Sequence, residues 1–247
     1  MVNMKNHNVW FVYWQALLHR HPSAFLLAAQ LVSLVLYAAF EGVPGGRVVL
    51  NAFGMLVLLL AVLVVVHSPA ISWIGWILAS LAVVLSLMSG LFANPGLLIW
   101  AALLEAVLYF YGAGGLITYM MEDDRVTIDE LFAAGATFTL IAWGFTYLYL
   151  VCQAWCPGSF AGGTNPEGPR TFIELMFLSF ANLSATGLSD ILPSTSPARV
   201  LVMLEQFAGV AYIAVVVSRL IGLTIVRHKG EGHHDSNNRS WRGTHLL

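Results

Sequence analysis

Charge is what this sequence has least of. Only 10% of its 247 residues are Asp, Glu, Lys or Arg, against roughly 25% in soluble domains. A water-soluble fold so poor in charge would expose wide apolar patches, which ordinary monomers do not do. The net charge of −2 leaves no basic patch for nucleic acid. Cysteine is nearly absent too, and two residues make no disulfide framework. Cys152 and Cys156 either form one local bridge on an outer face or are two small apolar residues near a helix end. There is no His-Glu-x-x-His pair and no nucleophile with a base partner in the apolar runs, so an enzyme is not expected.

Apolar residues fill the gap: 58% of the chain is hydrophobic and its mean hydropathy is +0.77. Stretches of about 18 or more apolar residues recur, each long enough for a hydrocarbon core of roughly 30 Å. Six transmembrane helices are expected, over 24–39, 48–66, 71–91, 97–121, 131–152 and 200–226. Breakers separate them: Gly42 to Gly46, His67-Ser68-Pro69, Asn94-Pro95-Gly96, and Pro157 through Pro169. The segment from Trp10 to His19 is aromatic and weakly amphipathic and is expected at the interface. No small-x-small cleavage site follows the first run, which is therefore read as a true span. The divisions expected are an N-terminal segment 1–22, a four-helix domain 23–121, a pore domain 122–227 and a disordered cytoplasmic tail 228–247.

Orientation follows the Lys and Arg residues flanking the spans. With both termini cytoplasmic, the inner side holds Lys5, Arg20, Arg125, Arg227, Lys229, Arg239 and Arg242. The outer side then holds Arg47, Arg170 and Arg199, with Arg219 left inside the last span.

The specific signals lie between Pro169 and Arg219. Thr171, followed three residues later by Glu174 before an apolar run, is a capping box that starts a helix over 172–183. Twelve residues extend about 18 Å, too short to span, so this helix dips in and stops near mid-depth. Directly after it comes the polar stretch Ser184-Ala185-Thr186-Gly187-Leu188-Ser189-Asp190. Irregular backbone is tolerated in a membrane only where protein buries it or where it lines an aqueous cavity. Ser196 and Pro197 then open the next helix. A half-helix, a polar strand and a return helix make a re-entrant pore loop. The half-helix directs its negative dipole end at the membrane centre, and strand carbonyls can replace an ion's hydration shell. One chain supplies one wall, so a homotetramer is expected. The fold class is thus all-α integral membrane, with a pore helix and filter loop between the fifth and sixth helices.

The segment Ser179-Phe180-Ala181-Asn182-Leu183-Ser184-Ala185-Thr186-Gly187-Leu188-Ser189-Asp190-Ile191-Leu192-Pro193 resembles the pore signature of the potassium-channel family, S-F-x-T-L-T-T-V-G-Y-G-D-I-x-P. The match is gapless, with Ser179, Phe180, Leu183, Gly187, Asp190, Ile191 and Pro193 identical. The next helix is similar to the inner helix of bacterial members at Ala198-Arg199, Leu204-Glu205, Gly209, Tyr212, Ala214 and Arg219 to Gly222. The resemblance implies passive K⁺ conduction across a bacterial plasma membrane, with the permeant cation held by the carbonyls of Thr186, Gly187 and Leu188 and no other cofactor.

The filter departs from the family pattern, reading A-T-G-L-S where the family has T-V-G-Y-G. Ala185 removes the hydroxyl that closes the innermost ion site. Leu188 removes one that braces the strand, and Ser189 in place of Gly restricts positive φ. A weakly selective or Na⁺-permeable channel, or a non-conducting scaffold on the same fold, therefore stays open as an alternative. Asp190 either draws cations to the outer mouth or braces the filter. Gly209 is either a bend or close-packing site for gating or a simple helix contact, and Arg219 snorkels or pairs with Asp123, Asp124, Asp129 or Glu130. Glu105, deep in the fourth span, is a functional candidate or a hydrogen-bonded acid between helices. That span carries no Lys or Arg, so no voltage sensor is expected.

Overall fold

The computed structural model describes residues 22–40, 54, 72–92, 95–122, 127–163, 165 and 168–243, with side chains of the last helix described as far as Arg219. In chain order its elements are helices α1 (Pro22–Phe40), α2 (Ser72–Phe92), α3 (Pro95–Glu122) and α4 (Ile128–Trp155), strand β1 (Phe160–Gly162), helix α5 (Phe172–Leu183), strand β2 (Ile191–Pro193) and helix α6 (Ser196–Gly243). Among the described residues, four stretches are long and apolar enough to cross a membrane: Pro22–Phe40, Gly96–Glu122, Ile128–Trp155 and Ser196–Arg219. They coincide with the first, fourth, fifth and sixth apolar runs. α2 occupies the third run. The second run, 48–66, lies outside the described residues except for Gly54, as do residues 1–21 and the carboxylates Asp123 and Asp124.

α4 is the hub. Its small residues Ala133, Ala136 and Ala142 are fully buried, and small side chains let membrane helices approach closely. Buried Thr137 and Thr146 return their hydroxyls to the carbonyls of Ala133 and Ala142, each at 2.8 Å, which satisfies them inside an apolar core. On one flank α1 buries Ser23, Leu26, Gln30, Ser33 and Tyr37, alternating steps of three and four, the seam of a helix packed lengthwise on a neighbour. Ser23 Oγ donates to Asp129 at 2.9 Å, Gln30 Nε2 to the Ala136 carbonyl at 3.3 Å, and Tyr37 packs edge-on to Trp143 at 5.7 Å. These pairs advance together along both chains, so α1 and α4 run parallel.

On another flank α3 packs antiparallel to α4 through Tyr109–Tyr147, Phe110–Phe145 and Tyr119–Asp129. α2 and α3 form a hairpin separated by two residues, which places α2 antiparallel to α3. α4 therefore packs on the preceding helices as well as on α5 and α6.

The architecture is all-α, as expected, with one small addition: β1 and β2 pair antiparallel, with Phe160 opposite Pro193 and Gly162 opposite Ile191. Three-residue strands are too short for period-two patterning to register. The backbone of α6 also continues as helix to Gly243, where a disordered tail was expected. Adding residues to an existing helix costs far less than nucleating one, and no proline follows Pro197 to stop it.

Candidate functional site

Helix α5 begins as its capping box requires. Thr171 sits in an extended conformation; its amide donates to Glu174 Oε2 at 2.8 Å, and the Glu174 amide donates to Thr171 Oγ1 at 3.3 Å. Gln153, near the end of α4, holds the start of this segment by both backbone groups of Arg170: the Arg170 amide donates to Gln153 Oε1 at 2.7 Å, and Gln153 Nε2 donates to the Arg170 carbonyl at 3.1 Å. The buried Arg170 guanidinium reaches the carbonyls of Asn165 and Gly168. Roles for Thr171 and Glu174 are thus structural, at the helix cap.

α5 runs antiparallel to α4 and reaches only part of its length. Phe172 stacks among Tyr37, Trp143 and Tyr147, and Phe180 lies edge-on to Phe138 at 5.8 Å. The helix ends level with the middle of α4. Ser184 is its C-cap, and Ala185 follows with φ 58°, the left-handed turn that usually falls to glycine after a helix. Gly187 is left-handed too, with φ 65°. Among the described residues Ala185 is the one non-glycine with positive φ, so the strain expected at Ser189 falls four residues earlier.

The loop hangs from the last turn of α5. Ala185 N donates to the Asn182 carbonyl at 3.0 Å and Gly187 N to the Ala181 carbonyl at 2.9 Å. Thr186 Oγ1 donates to the same Ala181 carbonyl at 3.2 Å, turning its hydroxyl back toward the helix. Ser189 Oγ accepts from Ile191 N at 3.1 Å, where β2 begins. β1 holds β2, and Ser194 N donates to the Ser159 carbonyl at 2.8 Å, so the chain after the loop is tied to the chain after α4. Ala185 through Leu188 are exposed within the single chain, Leu188 at 75%. Asp190 is exposed at the end of the loop next to β2. The structure therefore brings Ser184 through Asp190 together as one turn, half-buried at Ser184 and Ser189 and exposed elsewhere.

The remaining candidates sit elsewhere. Gly209 lies where α6 crosses the end of α5: a Cβ there would overlap the Leu183 carbonyl and come within 2.9 Å of the Leu183 Cα. It is a close-packing glycine. Arg219 reaches Glu130 Oε2 at 3.4 Å, pairing the far end of the span with the first turn of α4. Adjacent Asp129 accepts instead from Ser23 of α1 and Tyr119 of α3. Glu105 is half-buried and hydrogen-bonded with Tyr147, beside Tyr37 and Tyr109. Cys152 and Cys156 are free thiols, so the local bridge is not formed.

One group entered the sequence reading only as a matching letter, with no role assigned. Glu205 is fully buried and accepts from the hydroxyls of Tyr149 and Ser179. The signal was a lone carboxylate in an otherwise apolar helix, which has to find partners in a membrane.

Neither a curated protein nor a solved structure matched the chain. Residues 106–225 match the model of a family described as "Ion channel". The matched stretch begins in α3 and takes in α4, α5 with the loop after it and the apolar portion of α6, and over these residues the chain is similar to that ion-channel family, a transport class and not a catalytic one.

Proposed function

We propose that four copies of this chain surround one axis as a passive, K⁺-preferring cation channel, lined by the carbonyls of Thr186, Gly187 and Leu188. The observation that carries the reading is the short helix α5, which ends level with the middle of α4 and delivers an exposed, doubly left-handed turn. Such a turn has no use in lipid unless further copies close around it and water fills the axis. The apolar stripe Val200, Leu204, Phe207 and Val210 on α6 is exposed beside it, a surface that neighbouring copies and lipid would cover. Asp190 would then form a ring of four carboxylates at the mouth.

The six-span topology is supported by helix direction. α1 and α4 begin on one face, where α3 ends and α2 begins. The chain leaves α1 on the opposite face at Phe40 and must return before Ser72, and the apolar run 48–66 is the stretch available. The Lys and Arg count assigns the face where α1 begins to the cytoplasm.

A relaxed cation pore is the second reading. Ala185 has no hydroxyl, and that of Thr186 turns back to Ala181, so neither side chain adds a ligand to the inner carbonyls. Bilayer recordings of purified protein under opposed K⁺ and Na⁺ gradients decide between them. A reversal near the K⁺ potential supports the first, one near zero the second, and silence at all voltages rejects both. A detergent-solubilised mass showing only monomer or dimer rejects the four-fold assembly.

A further inference from the structure

A carboxyl in the middle of an apolar helix needs partners for two oxygens, and Glu205 finds them on two other helices. Oε2 accepts from the Tyr149 hydroxyl of α4, and Oε1 accepts from the Ser179 hydroxyl of α5. Ser179 Oγ also lies 2.9 Å from the Ala142 carbonyl, so the pore helix is held to α4 and α6 at one point. No Lys or Arg pairs with Glu205 among the described residues.

The contact continues toward the loop. Gln206 Nε2 donates to Asn182 Oδ1 at 3.2 Å, and Gly209 lies against the Leu183 backbone. Residues 205, 206 and 209 of α6 thus hold residues 179, 182 and 183 of α5, along the final turn before the loop. The loop in turn hangs from the carbonyls of Ala181 and Asn182. Any rotation of that turn carries the loop carbonyls with it.

An apolar side chain of similar volume would fill the same space without asking for hydroxyls on two neighbours. Buried hydrogen-bonded groups select one register where apolar contacts tolerate several. We infer that Glu205 is a positioning residue for the pore: its carboxyl locks the pore helix between the outer and inner helices and so sets where the loop carbonyls point. The consequence for selectivity rests on the channel reading, whereas the locking is a property of the fold.

The test uses the full chain in lipid vesicles, comparing wild type with Glu205→Gln and Glu205→Leu. Hydrogen–deuterium exchange of the 179–190 segment is measured alongside the K⁺/Na⁺ reversal potential. Glu205→Leu should raise exchange at the Ala185 and Gly187 amides about tenfold and shift the reversal potential, with exchange in α3 unchanged. Glu205→Gln keeps the volume and one acceptor, so it should fall between the two. A folded Glu205→Leu with wild-type exchange and reversal potential overturns the inference. If Glu205→Leu fails to fold, Tyr149→Phe and Ser179→Ala decide: raised loop exchange in both supports the lock, and wild-type exchange in both overturns it. A wild type that passes no current while the exchange results hold would reject the channel and leave the positioning role standing.

Discussion

Gly209 offers a sharp test of how α6 meets α5, because Gly114 supplies the control. A Cβ built on Gly114, in the middle of α3, meets nothing within 4 Å. Gly114→Ala should therefore show only the helix-propensity gain, a stabilisation of about 1 kcal/mol. At Gly209 the same methyl gains the same propensity but overlaps the Leu183 carbonyl and lies 2.9 Å from two further backbone atoms. Backbone cannot swing aside as a flexible side chain does, so α6 has to back away from α5. Overpacking of this kind costs about 1–3 kcal/mol, which leaves Gly209→Ala destabilised by about 1 kcal/mol after the propensity gain. Thermal unfolding of both variants in one detergent measures the difference directly. The displaced helix should also disturb the turn that carries the loop, lowering current through Gly209→Ala while Gly114→Ala conducts as wild type. Equal stabilisation of the two variants would refute the close contact.

Thr171→Ala removes one half of the capping box and should cost about 1 kcal/mol in thermal unfolding, with the far face of the protein unaffected by exchange measurements. Gly187→Ala has open space for its methyl but places an L-residue at φ 65°, so a cost of about 1–2 kcal/mol should come from backbone strain alone; conduction should fall, and a normally conducting variant would move the ion path off this loop. Ala185→Thr, attractive on sequence grounds, puts a β-branched residue at φ 58° and should perturb the loop, whereas Ala185→Gly should leave it intact in exchange experiments. Breaking the Arg219–Glu130 pair by Glu130→Gln or Arg219→Gln should destabilise by about 1–3 kcal/mol, and the swap Glu130→Arg with Arg219→Glu should recover part of it.

What could be read from the sequence was whatever depends on near neighbours in the chain. Membrane character follows from runs of apolar residues, and the short helix α5 follows from Thr171 and Glu174, whose capping bonds span three residues. Its shortness is a matter of counting, and the polar turn after it is visible as letters. Each of these is decided within about a dozen positions. The tertiary structure decided everything that depends on which faces meet. Asp129 and Glu130 are adjacent in sequence, yet one turns to Ser23 and Tyr119 and the other to Arg219, because successive helical residues point about 100° apart and different helices lie in those directions. Gly209 could equally mark a bend or a contact until the Leu183 backbone was found against it. Ala185 took the left-handed turn that the family pattern had drawn toward Ser189, because the end of α5 needs a cap there and the chain must leave the helix at once. Glu205 and its two hydroxyls are 26 and 56 residues apart in sequence. Burial makes them partners, since an unpaired carboxyl inside a membrane costs too much to persist, and only the packing of three helices determines which hydroxyls are within reach.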